Sequence, residues 1–414
     1  MSETAPSREL TQIQGRTLKT LASAQVLSGI GVAGTVAAGS LLVTSISNSE
    51  TLAGVAQTFS VLGAAFMALP LANLTRRGGR RLALSSGYFI GAVGAALAVA
   101  GGATKNLPLI FAGTFLVGAS SASGYQARYA AVDLATDHTR ASSLSMVVWA
   151  STIGAVLGPN LIDPTGALAE SFGLPALTGQ FLLASVTLFI GAFVIWLKLK
   201  PDPYLTSLAG TAEITATVPI KIPIKETLAH IRSNSNALLG LLAIAIGHIA
   251  MVSIMVMTPV HMKHVDVSLR VIGLVISVHV AGMYAFSPLV GKLSDAIGRP
   301  RVILIAGVVL LASAVIAGTA AANDSTQLGI GLFLLGLGWS GTLVAGSTLL
   351  SETVSDHYRS AAQGVSDLVM NLSGAIGGAI AGVIIATLSY GWLCGLSMLP
   401  VSAMTIFAVS KLKK

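Results

Sequence analysis

Apolar runs of about twenty residues, separated by short polar turns, recur along the whole chain. They fall near 20–45, 51–74, 82–103, 107–130, 141–162 and 175–198, and again near 236–262, 268–291, 301–322, 326–350, 360–387 and 389–410. About 20 apolar residues in a helix cross a hydrocarbon layer ~30 Å thick. The pattern therefore predicts an all-α integral membrane protein of twelve transmembrane helices, spans 1 to 12, in two six-helix bundles. Between spans 6 and 7 the apolar pattern stops, and Pro201, Pro203, Pro219 and Pro223 stand among Lys221, Lys225 and Arg232. The expected layout is a polar tail at 1–19, a bundle at 20–198, a linker at 199–235, a second bundle at 236–410 and a short tail at 411–414.

Composition agrees with a lipid-facing chain: 53% of residues are hydrophobic and 10% charged, where soluble domains carry about 25% charged. The net charge of +8 is spread between the spans, so it reads as topology and excludes a basic nucleic-acid-binding domain. Of the 24 Lys and Arg, only Lys105, Lys263 and Arg270 fall on one side of the span map, leaving 21 on the other. Because cytoplasmic loops carry the basic excess, both termini, the linker and the loop at Arg76, Arg77, Arg80 and Arg81 are expected in the cytoplasm, with the chain in the plasma (inner) membrane. Its first nineteen residues lack the apolar core and cleavage site of a leader. Cys394 stands alone, which excludes an intrachain disulfide and a thiolate metal cluster. No phosphate-cradling Gly-x-x-x-x-Gly-Lys-Ser/Thr loop and no hydrolase triad stands out, and Asp163 and Glu170 fall in an external connection. We expect neither an enzyme nor a tightly bound cofactor. The expected partners are the bilayer and a small solute or metal ion; the sequence names no protein partner.

One offset, 219 residues, superimposes several loops. Asp137-His138-Thr139-Arg140 falls on Asp356-His357-Tyr358-Arg359, Gly79-Arg80 on Gly298-Arg299, and Asp133 on Glu352. The two bundles are thus internal repeats. The turns after spans 2 and 8 resemble the Gly-x-Leu-x-Asp-Arg-x-Gly-Arg signature of the major facilitator superfamily. Gly291-Lys292-Leu293-Ser294-Asp295-Ala296-Ile297-Gly298-Arg299 keeps most of it, whereas Ala72-Asn73-Leu74-Thr75-Arg76-Arg77-Gly78-Gly79-Arg80 places Arg76 where the acid belongs. The resemblance implies a solute transporter whose cytoplasmic turns hold and release charged partners as it changes conformation. Candidate gate residues are Asp295, Arg299, Arg77, Arg80, Arg128, Asp133 and Arg140, the last expected to share a network with Arg128 and Asp133. Gly154-Ala155-Val156-Leu157-Gly158-Pro159 in span 5 resembles a Gly-Pro motif associated with antiporters; a packing kink is the other explanation.

Differences between the repeats point to chemistry. Span 7 carries His248, Met251, Met255 and Met262, which lie within an arc of roughly 60° at about 100° per residue. Span 8 carries His279 and Met283, four apart on one face, and none of the six has a ligand-type residue 219 positions earlier. Counting outward from the turn near Asp266 sets Met255 level with His279 and Met251 level with Met283. Thioether and imidazole are neutral, soft to borderline donors that favour Cu(I), although a Met stripe also serves as plain apolar packing. Met251-x-x-x-Met255 with His279-x-x-x-Met283 resembles the CcoA-like copper importers, and that likeness implies copper-ligand roles for these four. His248 and Met262 join them by geometry alone. The transported substrate on this reading is a copper ion.

Riboflavin carriers among the relatives of those importers imply an alternative organic cargo; a proton-coupled drug exporter and a membrane metal sensor or assembly factor are the others. Asp367, between Gln363 and Asn371 on one face of span 11, is a candidate proton-coupling acid or an interhelical bonding group. His261 and His264 are expected as solvated loop residues flanking Lys263.

Overall fold

A computed structural model describes residues 8–47, 50–209, 222–263, 267 and 269–412. His264, Asp266, residues 1–7 of the polar tail and 210–221 of the linker lie outside them. Among the described residues every regular element is a helix. Eleven are long and apolar enough to span a membrane. One of these, Thr58–Ala103, is 46 residues long and is broken at Gly79, whose φ of 83° and ψ of 176° lie outside helical geometry. It is two spans joined at a glycine, so the twelve expected spans are present.

Contacts divide the chain into two compact units, the first built from Met1–Thr136 with Ala150–Pro223 and the second from Asp137–Trp149 with Ile224–Lys414. Unit 1 contains α1 (Arg8–Ser47), α2 (Glu50–Ala103), α3 (Leu107–Ala130), the later part of α4 (Arg140–Asn160), α5 (Ile162–Ser171), α6 (Gly179–Lys198) and α7 (Pro203–Ala209). Asp163 and Glu170 are exposed on α5, a short helix where the sequence suggested a loop. α1 and α2 each pack along α6, and α2 packs along α3. Small residues permit the closest approaches. A Cβ on Gly29 would lie 2.9 Å from the Gly154 backbone, and one on Gly158 would lie 2.8 Å from the Ala33 side chain. The Gly154 to Pro159 segment therefore works here as a seat for α1. Gly154→Val is expected to destabilise the protein by about 1–3 kcal/mol or more through overpacking, read as a lower unfolding temperature of the solubilised protein.

Unit 2 holds the start of α4, then α8 (Ile224–Ser233), α9 (Ser235–Lys263), α10 (Leu269–Tyr284), α11 (Ser287–Ile297), α12 (Arg299–Gly318), α13 (Ser325–Thr353), α14 (Asp356–Thr387) and α15 (Tyr390–Ser410). Its centre is α13, where every residue from Gly338 to Ser351 is buried and against which α9, α10 and α12 all pack. Glycine, serine, threonine and alanine dominate that stretch, so neighbouring backbones close upon it. Gly298 (φ 91°) turns the chain from α11 into α12, as Gly79 does 219 positions earlier. Both glycines occupy backbone conformations that a Cβ disfavours.

Candidate functional site

The two histidines of spans 7 and 8 are held in opposite tautomers. His248 Nδ1 accepts a hydrogen bond from Trp339 Nε1 at 3.0 Å. Indole nitrogen only donates, so the neutral imidazole carries its proton on Nε2. Tyr284 stands edge-on to the same indole, with centroids 5.7 Å apart, and a Cβ on Gly374 of α14 would come within 2.8 Å of His248 Nε2. His248 is thus set between α13 and α14, half-buried. His279 Nδ1 lies 2.7 Å from the Leu332 carbonyl, an acceptor, so here Nδ1 carries the proton. His279 is completely buried, and its Nε2 lone pair has no hydrogen-bond partner among the described residues.

Met251, Met262 and Met283 are buried and Met255 is half-buried. Helices α9 and α10 meet only marginally, and each packs along α13. A Cβ on Gly336 of α13 would sit 2.7 Å from the Met283 nitrogen, so the His279-x-x-x-Met283 element is pressed into the α10–α13 seam. Depth matching presupposed two helices in direct lengthwise contact; α13, with its small residues, draws each to itself instead. Among the described residues no three His, Cys, Asp or Glu side chains come together as an ion would require. A metal centre at this place would rest on thioethers and His279 Nε2.

At the cytoplasmic turns the repeat reappears as geometry. Arg80 Nε lies 2.7 Å from Asp133 Oδ2, with both side chains at 2% exposure or less, and a second bond of 3.1 Å makes the pair bidentate. Arg299 Nη2 lies 2.7 Å from Glu352 Oε1, the same pair shifted by 219. Arg140 bonds Asp137 at 2.6 Å, and Arg359 bonds Asp356 in the same i, i+3 relation. Asp133 thus belongs to Arg80, while Arg128 is buried against the faces of Tyr125 and Tyr129. The expected grouping of Arg128, Asp133 and Arg140 gives way to separate pairs because each carboxylate finds a guanidinium within its own turn region. Arg77 is exposed.

Asp295 makes the contact the repeat does not share. Its Oδ1 accepts from the Ala141 nitrogen at 3.0 Å, and its Oδ2 accepts from the Ser142 nitrogen at 2.8 Å and the Ser142 hydroxyl at 2.5 Å. Arg299 lies 3.1 Å away on the other side. The carboxylate therefore caps the positive N-terminus of α4. The corresponding first-repeat residue, Arg76, carries the wrong charge for such a cap.

Asp367 is completely buried in α14, and Asn371 donates to its backbone carbonyl at 2.8 Å. His261 is on α9, stacked on Tyr390 with centroids 4.4 Å apart; the expectation of a solvated loop residue is corrected because the helix runs on to Lys263. Sequence reasoning missed two groups. Asp202, just after span 6, accepts from the Arg81 nitrogen at 2.7 Å and brings a carboxylate to the turn that lacks one. Gln25 of α1 joins Tyr88 and Ser151, and its only sequence signal was an amide inside an apolar span.

The sequence model of the Major Facilitator Superfamily matches residues 21–268 and 240–413 of this chain. The MFS-type transporter YddS of Bacillus subtilis (strain 168) is 35% identical over 381 residues, 92% of this chain and 87% of its own length. The riboflavin transporter RfnT of Brucella anthropi is 27% identical over 361 residues, 86% of this chain and 85% of its own. The fucose:proton symporter FucP of E. coli superimposes with a TM-score of 0.70 at 16% identity, covering 94% of this chain and 97% of its own, a likeness of fold alone.

Proposed function

Because the chain belongs to the major facilitator superfamily and is a multi-pass membrane transporter, we propose that its cargo is a planar aromatic organic solute of the riboflavin kind. It works as a secondary transporter by alternating access in the plasma membrane, importing the solute, with both termini cytoplasmic. The observation that carries this reading is the His248, Trp339 and Tyr284 cluster, in which a donor-fixed imidazole and an edge-on phenol surround an indole. Such a cluster suits a flat heteroaromatic ring, which gains from aromatic contact. RfnT, by its name a riboflavin transporter, supports the choice. Expressed in a riboflavin-auxotrophic bacterium without its own importer, the protein is expected to restore growth on low riboflavin. Trp339→Ala is expected to reduce uptake about tenfold or more at equal membrane abundance. Absence of rescue by wild-type protein present in the membrane contradicts the reading.

Copper import is the second reading, with Met251, Met255, His279 and Met283 as ligands and His248 and Met262 beside them. One observation favours it, the buried and unpartnered Nε2 of His279, a borderline donor one helical turn from Met283. His248 Nδ1 is already used by Trp339, which weakens its part. On this reading His279→Ala abolishes radiolabelled copper uptake, and unchanged uptake rejects it. In either reading Asp367 is the proton-coupling group, and Asp367→Asn is expected to leave solute binding intact while removing the response of uptake to an imposed proton gradient.

A further inference from the structure

Unit 1 contains a directional run of neutral hydrogen bonds that ends on an uncommitted donor. Tyr88, completely buried in α2, donates from its hydroxyl to Gln25 Oε1 at 3.2 Å. The same amide donates from Nε2 to Ser151 Oγ of α4 at 2.9 Å. Ser28, buried one turn along α1, bonds the Tyr88 phenol. On α3, Gly124 leaves room for the amide, since a Cβ there would lie 3.2 Å from Gln25 Oε1.

Chemistry fixes the order of this run. Phenol gives its one hydrogen to the amide oxygen, and the amide nitrogen, which only donates, gives one to Ser151. Ser151 Oγ is then an acceptor whose own hydrogen points elsewhere. Hydroxyls in these helices commonly satisfy that hydrogen on a carbonyl three or four residues back, as Thr20 does on Arg16, Ser145 on Ser142 and Thr405 on Val401. Among the described residues no acceptor takes the Ser151 hydrogen.

Gln25 and Ser151 are both half-buried. Opening onto hydrocarbon would leave polar groups unsatisfied at a cost of several kcal/mol. The exposed apolar residues of α4 include Met146, Trp149 and Ile153. Ile153 is two residues from Ser151, about 200° around the helix, on the far face. Ser151 thus lies on the side of α4 turned away from its exposed apolar residues.

We infer that Gln25 and Ser151 form a binding site for an uncharged hydrogen-bonding group of the transported solute, a hydroxyl or a ring carbonyl. Ser151 donates to that group, Gln25 presents its second amide hydrogen, and Tyr88 with Ser28 holds the amide in register as positioning residues. No charge resides in the four side chains, and Arg128, one turn along α3, is committed to Tyr125 and Tyr129. The four side chains themselves offer hydrogen bonds and no charge, which suits an uncharged group. The proposal rests on the organic-solute reading for the identity of the cargo and on the geometry of unit 1 for the existence of the site.

The experiment separates the two. Cys394 is completely buried, so the native chain is the unreactive background for a membrane-impermeant methanethiosulfonate reagent applied to membrane vesicles opened to both faces. Ser151→Cys is expected to react and Ile153→Cys to stay unmodified, because the reagent attacks thiolate in water. Riboflavin is expected to slow modification at position 151. Ser151→Ala is expected to raise the KM for riboflavin about tenfold with kcat little changed, and Ser151→Thr to restore it. If Ser151→Cys, folded and inserted, does not react, the site is overturned. If wild-type protein carries riboflavin but neither protection nor a KM change is seen, it is overturned equally. If wild-type protein carries no riboflavin, the cargo reading falls and labelling at 151 without labelling at 153 still upholds the site.

Discussion

Asp133→Asn is expected to cost most of the protein its place in the membrane, because it leaves Arg80 charged and sealed. The Arg80 side chain is 1% exposed and its two bonds to Asp133 measure 2.7 and 3.1 Å. Asparagine offers one weak acceptor to a guanidinium that needs a counter-charge. Breaking a buried ion pair from one side costs about 3–5 kcal/mol, a large part of the roughly 5–15 kcal/mol that holds a domain folded. Replacing both partners by apolar residues of similar size is often nearly neutral. Arg80→Met with Asp133→Leu is therefore expected to regain most of the loss. Glu352→Gln, the same change in the second repeat, is expected to be milder, since Arg299 keeps Asp295, the Ser294 carbonyl and the Asp137 carbonyl. A thiol-reactive dye that reports exposure of Cys394 on heating measures all three variants.

Asp295→Ala is expected to fold and insert yet transport slowly. The carboxylate accepts three hydrogen bonds from the first turn of α4 and pairs with Arg299. Those bonds exist in the conformation described here, and we propose that alternation breaks and remakes them. Removing them shifts the conformational equilibrium by the lost differential energy. Charged hydrogen bonds contribute about 1.5–3 kcal/mol each when protected and less near water. A net shift of about 2–3 kcal/mol moves the populations roughly 30- to 150-fold, and turnover is expected to fall by one to two orders of magnitude with little change in KM. Arg76→Asp, which restores the acid in the first-repeat turn, is expected not to rescue it, since the lost contact belongs to α4. Unaltered turnover in Asp295→Ala, with normal protein in the membrane, would show that the cap is not a working clamp.

The spans, the repeat and the turn residues were legible in the sequence because each rests on local chemistry. Hydrocarbon thickness sets the length of every apolar run, and the offset of 219 appears twice in space, as Arg80 with Asp133 and as Arg299 with Glu352. Partner choice was less legible. Asp295 is legible as a gate residue, but nothing in its neighbourhood names Ala141 and Ser142, about 150 positions away, as what it caps. Trp339 was invisible as a partner of His248 because 91 residues separate them and α13 reads as an unremarkable apolar run. The Met and His stripe was legible as a pattern and not as a site, since periodicity gives a face of a helix without saying which neighbour meets it. Small residues of α13, Gly336 among them, decided that.

Cargo is tested most directly with purified protein in proteoliposomes under an imposed proton gradient, offered radiolabelled riboflavin and, separately, copper kept as Cu(I). The account predicts internal accumulation of riboflavin that Trp339→Ala and Ser151→Ala diminish and His279→Ala leaves largely unchanged. Accumulation of copper without riboflavin, abolished by His279→Ala, would contradict it.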